Sequence, residues 1–281
     1  MSVPRVVDVE HLGRPRVIGA WVVGDVLIDP GPASSLERLL GALGEWRPRA
    51  IALTHIHLDH AGGTGSLVRR WPGVEVWVDE RGAPHLEDPS RLLRSAERIY
   101  GAEMERLWGR VEPVPADAIR LAADGAELGG FEVAYTPGHA SHHVSYLDHD
   151  SGIAFVGDVA GVRIEPAQGV LMPTVPPELD PELWKGSIER VREWRPAALA
   201  ITHFGRFDDV DAHLDAAREG LGRLLATEGD EERVREHVAG LVGGSGAAEA
   251  GRYQQAAAPA MLAAGVRRHL ERREGDPRAV S

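Results

Sequence analysis

Cysteine is absent from the 281 residues of this chain. Its absence excludes disulfide bonds, thiolate metal ligands and a cysteine nucleophile, so a metal site would have to use histidine and carboxylate side chains. Runs of about 18 apolar residues are also missing, and no apolar segment of the kind found in signal peptides follows Met1. We therefore expect no membrane span and, by default, a cytoplasmic location.

Basic side chains are fewer than acidic ones. The chain has 31 basic and 43 acidic side chains and a formal net charge of −12. Because no cluster of Lys and Arg forms a basic patch, we expect a small-molecule substrate and no nucleic-acid partner. The apolar stretch 256–266 is either the face of a homodimer or the buried side of the last helix.

Strand and helix patterns alternate through the first three quarters of the chain. Residues 17–23 and 26–29 flank Gly24-Asp25 and predict a β-hairpin. Further strands are predicted at 50–53, 74–78, 119–121, 131–135, 144–147 and 153–156, with a charged helical insert at about 84–111. After residue 207 only helices are predicted, at 210–225, 231–242 and 247–273. We expect a domain of residues 1–207, a helical extension of residues 208–281 packed on it, and a frayed end from residue 274.

An internal repeat relates two parts of the chain. Residues 45–55 read EWRPRAIALTH and residues 193–203 read EWRPAALAITH. Each copy follows a helical pattern, turns at a proline, and ends in a histidine directly after an apolar strand. The repeat predicts a two-fold pseudo-symmetric α/β sandwich in which equivalent strands bring His55 and His203 to one site, at the carboxyl ends of strands.

The segment His55-Ile56-His57-Leu58-Asp59-His60 places four potential metal ligands within six residues. His55 and His57 point the same way in an extended backbone, whereas Asp59 and His60 follow the turn into a helix. This arrangement suits two adjacent metal ions better than one. Imidazole and carboxylate ligands without thiolate favour Zn²⁺, with Fe²⁺ or Mn²⁺ as alternatives.

Three weaker motifs follow along the chain: Pro137-Gly138-His139, Gly157-Asp158 and Thr202-His203. In this order, together with the histidine-rich segment, they resemble the metallo-β-lactamase superfamily of αββα hydrolases over about residues 17–207. The resemblance implies a four-layer αββα sandwich with two metal ions. It implies His55, His57 and His139 on one ion, Asp59, His60 and His203 on the other, Asp158 between them, and a bridging hydroxide as nucleophile.

The implied chemistry agrees with the residues themselves. Metal coordination lowers the pKa of water from about 15.7 to near 7, and it polarises a carbonyl or phosphoryl oxygen. Asp59 is in addition expected to act catalytically, by carrying a proton to the leaving group.

The branches of this superfamily differ in signature residues, and these residues reduce the number of reactions that the resemblance implies. The best-known β-lactam hydrolases have a cysteine ligand, which this chain lacks, and acyl-homoserine-lactone hydrolases have a tyrosine where this chain has Gly161. Glyoxalase II enzymes share the ligand segment and a helical C-terminal domain. Flavodiiron proteins have glutamate in place of His57, and nuclease relatives would be expected to display a basic surface.

Our hypothesis is therefore that the protein is a dinuclear metal-dependent hydrolase that cleaves a thioester or a lactone. Two alternatives remain open, a mononuclear iron persulfide-type dioxygenase and a non-catalytic metal-binding protein. For the substrate, the helical insert and the extension are the expected pocket walls. Arg163 and Arg206 are expected to meet an anionic group, and His143 and Tyr100 are further candidate contacts.

Overall fold

A computed structural model describes residues 3–167 and 169–275 of the chain. Two six-stranded sheets form its centre. The first sheet has the order β1-β2-β3-β4-β5-β6 and comprises β1 (Arg5–Asp8), β2 (Gly19–Val23), β3 (Val26–Ile28), β4 (Ala50–Ala52), β5 (Glu75–Val78) and β6 (Ile119–Leu121). The second has the order β12-β11-β10-β9-β8-β7 and comprises β7 (Glu127–Leu128), β8 (Phe131–Tyr135), β9 (Val144–Asp148), β10 (Ile153–Phe155), β11 (Ala198–Ile201) and β12 (Gly205–Phe207).

Helices connect the strands and form the end of the chain. They are α1 (Leu36–Leu43), α2 (Leu58–Ala61), α3 (Thr64–Arg70), α4 (Ala83–Glu87), α5 (Ser90–Tyr100), α6 (Met104–Trp108), α7 (Pro181–Glu193), α8 (Val210–Leu225), α9 (Glu231–Val242), α10 (Ala247–Ala256) and α11 (Pro259–Gly275). Within the described part of the chain, no helix has the length and apolarity needed to cross a membrane.

Three layers of buried side chains hold the sheets and helices together. Trp21 and Trp77 of the first sheet pack against Tyr146 and Phe155 of the second, and this apolar layer joins the inner faces of the sheets. A second cluster packs helices such as α1 on the outer face of the first sheet, and a third packs α7 and α8 on the outer face of the second. This arrangement confirms the predicted αββα sandwich with a C-terminal helical extension.

The internal repeat corresponds to equivalent elements of the two sheets. α1 leads through Pro48 into β4, and α7 leads through Pro196 into β11. β4 pairs in parallel with β3, and β11 pairs in parallel with β10. Each copy therefore has the predicted helix, turn and strand, one copy in each sheet.

Three strands escaped prediction: β1, β7 and β12. All three are at sheet edges, and β7 is only two residues long. Edge strands need only one apolar face, so the short segments Arg5–Asp8 and Gly205–Phe207 have little alternation to recognise.

The extension differs from its prediction at one place. The helix predicted at 247–273 is two helices, α10 and α11, with a break at Ala257 and Ala258. The reason is Pro259, which lacks an N–H and disfavours helical backbone in the residue before it. Residues 276–281, most of the segment expected to be frayed, lie outside the described residues.

Apolar residues of the extension face inward. Leu214 and Leu221 of α8 are buried in the same cluster as Trp184 of α7, and this cluster also contains Leu262 and Val266 of α11. The apolar side of the stretch 256–266 is thus covered within the chain, as the buried side of the last helix.

Gly138, one residue before a predicted ligand, allows the loop after β8 to approach α7. Its φ is +129°, and a Cβ atom there would lie 2.3 Å from the backbone nitrogen of Trp184. Its carbonyl oxygen accepts a hydrogen bond of 2.9 Å from the backbone N–H of Asp180. Any larger residue would push the loop, and His139 with it, away from α7.

We expect Gly138→Ala to lower the free energy of unfolding by about 2–6 kcal/mol, because a strained φ and the overlap with α7 each cost about 1–3 kcal/mol. Urea denaturation of the metal-free protein, followed by circular dichroism, measures this change. The control is Gly186→Ala within α7, where a new Cβ has no atom within 4 Å. There alanine favours the helix, so stability should rise by about 0.5–1 kcal/mol. Equal responses of the two variants would contradict the packing role of Gly138.

Candidate metal centre

The seven predicted ligands lie together where strands of both sheets end. His55 and His57 follow β4, and α2 carries the next two ligands. The others lie in the loop between β8 and β9, directly after β10, and directly after β11: His139, Asp158 and His203. The structure thus brings together residues that are up to 148 positions apart, from 55 to 203.

Three histidines form the first group of ligand atoms. The Nδ1 atom of His57 lies 3.0 Å from Nε2 of His55 and 2.9 Å from Nε2 of His139. The Oδ2 atom of Asp158 lies 3.3 Å from Nε2 of His139. Four donor atoms therefore surround a common point, one from each of these residues.

A second group shares the Asp158 carboxylate. Its Oδ1 atom lies 3.3 Å from Nε2 of His60 and 3.6 Å from Nε2 of His203. The Oδ2 atom of Asp59 lies 3.3 Å from Nε2 of His203 and 3.8 Å from Nε2 of His60. The two groups thus meet at Asp158, with one carboxylate oxygen turned toward each.

The spacing of these atoms fits metal coordination. Ligand bonds of about 2.0–2.2 Å in a tetrahedral site place neighbouring donors about 3.3–3.6 Å apart. Three of the four distances in the second group match this spacing and the fourth, 3.8 Å, is slightly longer, whereas those between the histidines of the first group are slightly shorter. Each group can therefore hold one divalent ion after small side-chain adjustments.

Backbone carbonyls determine which nitrogen of two ligands is free. Nδ1 of His139 donates a hydrogen bond of 2.9 Å to the carbonyl of Pro173, and Nδ1 of His203 donates one of 2.7 Å to the carbonyl of Val17. A carbonyl oxygen can only accept, so the proton is on Nδ1 and the lone pair of Nε2 faces the other ligands.

Asp29 was not among the predicted site residues. It holds a ligand of each group in place, His60 directly and His55 through Thr54. Its fully buried carboxylate accepts hydrogen bonds from the backbone N–H and hydroxyl of Thr54, from the hydroxyl of Thr202 and from Nδ1 of His60, all at 2.7–3.0 Å. Since the Thr54 hydroxyl donates to Asp29, it accepts from Nδ1 of His55, 3.1 Å away. The position of Asp29 at the end of β3 was the available signal, but Asp-Pro-Gly also reads as an ordinary turn.

The electrostatics of the site favour bound positive charge. Burial lowers the pKa of His139 to about 3 and that of His55 well below its usual value, so both are neutral ligands. Burial acts against the charged form of His60 too, but the carboxylates of Asp158 and Asp59 outweigh it and raise its pKa well above the usual value. The carboxylates thus attract either protons or a metal cation to this position.

Two buried atoms provide a further test of whether a metal fits. Nε2 of His60 and Oδ1 of Asp158 are buried and have no hydrogen-bond partner among the described residues, although they are 3.3 Å apart. Unpaired buried polar atoms are rare and costly. A metal ion between them would satisfy both, so the residues present fit the metal that the motif implies.

A cavity of about 730 Å³ opens above the ligands. His57, Asp59, Asp158 and His203 lie at its floor. Its walls come from the turn at 11–14, helices α5 and α6 of the insert, the loop 173–178, and the junction of α10 with α11. The insert and the extension therefore form the pocket walls, as their position in the sequence suggested.

The four candidate substrate contacts are placed differently from one another. Tyr100 lines the cavity, together with Trp108. Arg163, Arg206 and His143 are not among its lining residues, which corrects the expectation that they meet the substrate.

The physical reasons are clear for each. The guanidinium of Arg163 is buried over the ring of Phe207 and bonds to Asp209 at 2.9 Å. Arg206 pairs with Asp208 on the surface. His143 is fully buried, and its Nε2 accepts a hydrogen bond of 3.3 Å from the backbone N–H of Asp158, so it supports a ligand instead of meeting substrate.

His11 is a wall residue that the sequence did not reveal. Its ring stacks on Trp108 with centroids 5.5 Å apart, and its Nε2 donates to the carbonyl of Leu107 at 2.8 Å. The side-chain amide of Gln255 in α10 donates to the carbonyl of His11 at 2.8 Å. His11 thereby joins the start of the chain, the insert and the extension beside the cavity.

We expect Asp29→Asn to weaken metal binding by about 10- to 100-fold, the usual effect of losing a carboxylate behind a histidine ligand. The amide would direct an N–H toward a donor and release His60. Competition with a chromogenic chelator measures the affinity. Thr202→Val is the matched control, because it removes one hydrogen bond to Asp29 and leaves the carboxylate charge; its effect should be several times smaller. Unchanged affinity in Asp29→Asn would contradict this role.

The sequence of this chain is similar to those of known proteins over the region that contains the seven ligands. The model of the metallo-beta-lactamase superfamily matches residues 14–203, which include all seven ligands. The metallo-beta-lactamase fold-containing protein ST1585 of Sulfurisphaera tokodaii is 32% identical over 201 residues, which cover 69% of this chain and 72% of that protein.

Hydroxyacylglutathione hydrolases are similar over a shorter region. GloC of Haemophilus influenzae is 31% identical over 137 residues, covering 47% of this chain and 59% of that protein. The enzyme of Cronobacter sakazakii is 34% identical over 132 residues, covering 45% of this chain and 41% of that protein. The matched region is thus about half of the length of these hydrolases.

Solved structures extend the similarity. The crystal structure of ST1585 from Sulfolobus tokodaii has a TM-score of 0.70 at 25% identity and covers 95% of this chain and 99% of that one. TTHA1623 in a di-iron-bound form has a TM-score of 0.54 at 27% identity and covers 71% of this chain and 93% of that one. The family model spans more than half of the sequence and includes every ligand of the candidate centre, so this chain belongs to the metallo-beta-lactamase superfamily.

Proposed function

We propose that this protein is a dinuclear metal-dependent hydrolase that cleaves a carbonyl ester-type bond, in a thioester or a lactone. The observation that carries the proposal is the pair of complete ligand groups meeting at Asp158 on the floor of a cavity. A protein that only binds metal would need these ligands, but it would not need a cavity beside them. Here Asp59, Asp158 and His203 face the space where a substrate fits.

Two ions are favoured over one because the second group is complete. Asp59, His60 and His203 have donor atoms within 4.8 Å of one another, as have His55, His57 and His139. In a mononuclear dioxygenase the ligand atoms of the second group would bind no metal ion. The similarity to TTHA1623, whose structure is of a di-iron-bound form, supports the same stoichiometry here.

Divalent ions at these groups would supply Lewis acidity and lower the pKa of water to near neutrality. The protein's own residues do the remaining work. His139 and His203 keep their lone pairs directed inward through the carbonyls of Pro173 and Val17. Walls formed by the insert and the extension exclude bulk water from the bond to be cleaved.

Asp59 is the proposed proton carrier. Its side chain is 21% exposed and lines the cavity, whereas that of Asp158 is only 4% exposed. Burial alone would raise the pKa of Asp59, but the neighbouring His60 and His203 hold it below its usual value. Its carboxylate is therefore ionised at neutral pH, as a metal ligand must be, and its exposure to the cavity is what supports the role of proton carrier to the leaving group.

The choice of a carbonyl substrate depends on the relatives and on charge. The similar hydroxyacylglutathione hydrolases are by name thioester-type hydrolases, which favours this bond class for the present chain. The net charge of −12 opposes a nucleic acid as substrate. Zinc remains the metal that we propose from the imidazole and carboxylate ligands, with iron or manganese as alternatives.

We expect Asp158→Ala to lose at least one metal ion per chain and to reduce thioester or lactone hydrolysis by at least about a hundredfold, more than the 10- to 100-fold effect of outer partners. Elemental analysis and turnover of the same preparation measure both quantities. Asp150→Ala, at an exposed aspartate outside the site, is the control and should behave as wild type. Full metal content and full activity in Asp158→Ala would refute the assignment.

A substrate panel tests the bond class. Wild-type protein of measured metal content is assayed with a thioester, a lactone, a phosphodiester and a β-lactam. We expect two metal ions per chain and the fastest turnover with the thioester or the lactone. One iron per chain with oxygen consumption would instead identify the dioxygenase alternative, and failure to bind any divalent metal would identify a protein without this chemistry.

A further inference from the structure

The wall of the cavity exposes apolar side chains. Among the described residues, five large hydrophobic side chains are exposed, and two of them, Leu12 and Ile99, line this cavity. Met261 and the pair Pro176-Pro177 contribute to the same lining. Because exposed apolar side chains that converge on one cavity typically mark a binding surface, this wall is suited to an apolar part of a ligand.

The charge of the lining is opposite to that of the whole chain. Apart from the metal ligands, the lining contains the arginines 14, 91 and 106 but a single carboxylate, Glu178. Glu178 already accepts a hydrogen bond of 2.6 Å from the backbone N–H of Ser141. In a chain with a net charge of −12, this concentration of arginine is a local reversal of sign.

Two of these arginines form no ion pair with a carboxylate in the part of the chain that the structure describes. Arg106 pairs with Glu103. Arg14 donates to the backbone carbonyl of Gly251, and the structure shows no ion pair between Arg14 or Arg91 and any described carboxylate. Both are exposed, so each can bind an anionic group of a ligand that enters the cavity.

We infer that the substrate is an amphipathic anionic acyl ester or thioester. Its carbonyl would lie at Asp59 and His203, its apolar part against Leu12 and Ile99, and its anionic group, a carboxylate or phosphate, at Arg91. This inference rests on the proposed function for the bond cleaved. The amphipathic and anionic character of the substrate is inferred only from the arginines and the apolar wall.

Binding of uncleavable probes tests the anionic group. S-octyl mercaptoacetate has a carboxylate and a thioether, and its primary amide has the same shape without the charge. Isothermal titration of metal-loaded protein measures both. Since hydrogen bonds to charged groups favour binding, we expect the carboxylate to bind about five- to tenfold more tightly than the amide.

Charge-matched variants separate Arg91 from the metal ions, which can also attract a carboxylate. In Arg91→Gln the preference for the carboxylate should fall to about twofold or less. In Arg94→Gln it should be unchanged, because Arg94 is exposed on the same helix α5 but does not line the cavity. An equal preference in all three proteins would show that the carboxylate is bound elsewhere, at the metal ions or at Arg14, and would overturn the role of Arg91.

A chain-length series tests the apolar wall. S-butyl and S-octyl mercaptoacetate differ by four methylenes, each of which strengthens binding by up to about fourfold when it is fully buried. We expect the octyl compound to bind at least about tenfold more tightly. Ile99→Asn should reduce this advantage, whereas Leu183→Asn, at an exposed leucine outside the cavity, should leave it unchanged. Equal binding of the two compounds would overturn the amphipathic assignment.

Failure of this inference is distinguishable from failure of the proposed function, since the probes contain no ester, thioester or lactone bond. Charge- and length-selective binding without thioester or lactone turnover would refute the hydrolase proposal alone. Hydrolysis of such esters with no selectivity for charge or length would refute the substrate class alone. Absence of probe binding to the metal-loaded protein would also overturn the substrate class.

Discussion

The buried carboxylate of Asp29 joins the two halves of the sandwich at the candidate metal centre. It accepts hydrogen bonds from Thr54 after β4, from Thr202 after β11 and from His60 in α2. An isolated charge in such a position would be strongly unfavourable, and these donors together offset the cost of burying the carboxylate. Because Thr54 and Thr202 are equivalent residues of the internal repeat, one carboxylate aligns equivalent strand ends from different sheets.

Other contacts between the sheets act at the same edge. The ring N–H of Trp21 donates to the carbonyl of Ile201 at 3.2 Å, and the hydroxyl of Tyr146 donates to the carbonyl of Leu53 at 2.9 Å. Each contact links a residue of one sheet to the strand end of the other, two residues before His203 or His55. The ligands are therefore positioned by the rigid centre of the fold, which is the arrangement that precise metal geometry requires.

The fold, and the residues that meet at the candidate metal centre, could be predicted because their signals are local. His55 and His203 were related by an eleven-residue repeat, and the strand patterns around them depend on neighbouring residues. Asp29 could not be identified in this way, because an Asp-Pro-Gly turn looks the same whether or not the carboxylate supports a metal ligand. The prediction for Arg163 failed since closeness in sequence to Asp158 does not determine direction. Its backbone N–H donates to the carbonyl of His203, while its side chain turns to α8.

The cavity was predictable only in outline, because segments far apart in sequence build it. His11 contacts Leu107 and Gln255, which are 96 and 244 positions away. No periodicity or motif reports such contacts.

The claim that two metal ions serve one hydrolytic site is tested most directly by a titration of metal-free protein with Zn²⁺, in which thioester hydrolysis is followed against equivalents bound. Two equivalents bound, with activity that reaches its plateau only as the second site fills, is the expected result. Binding of two equivalents without any hydrolysis, or full activity at one equivalent, would contradict the dinuclear mechanism.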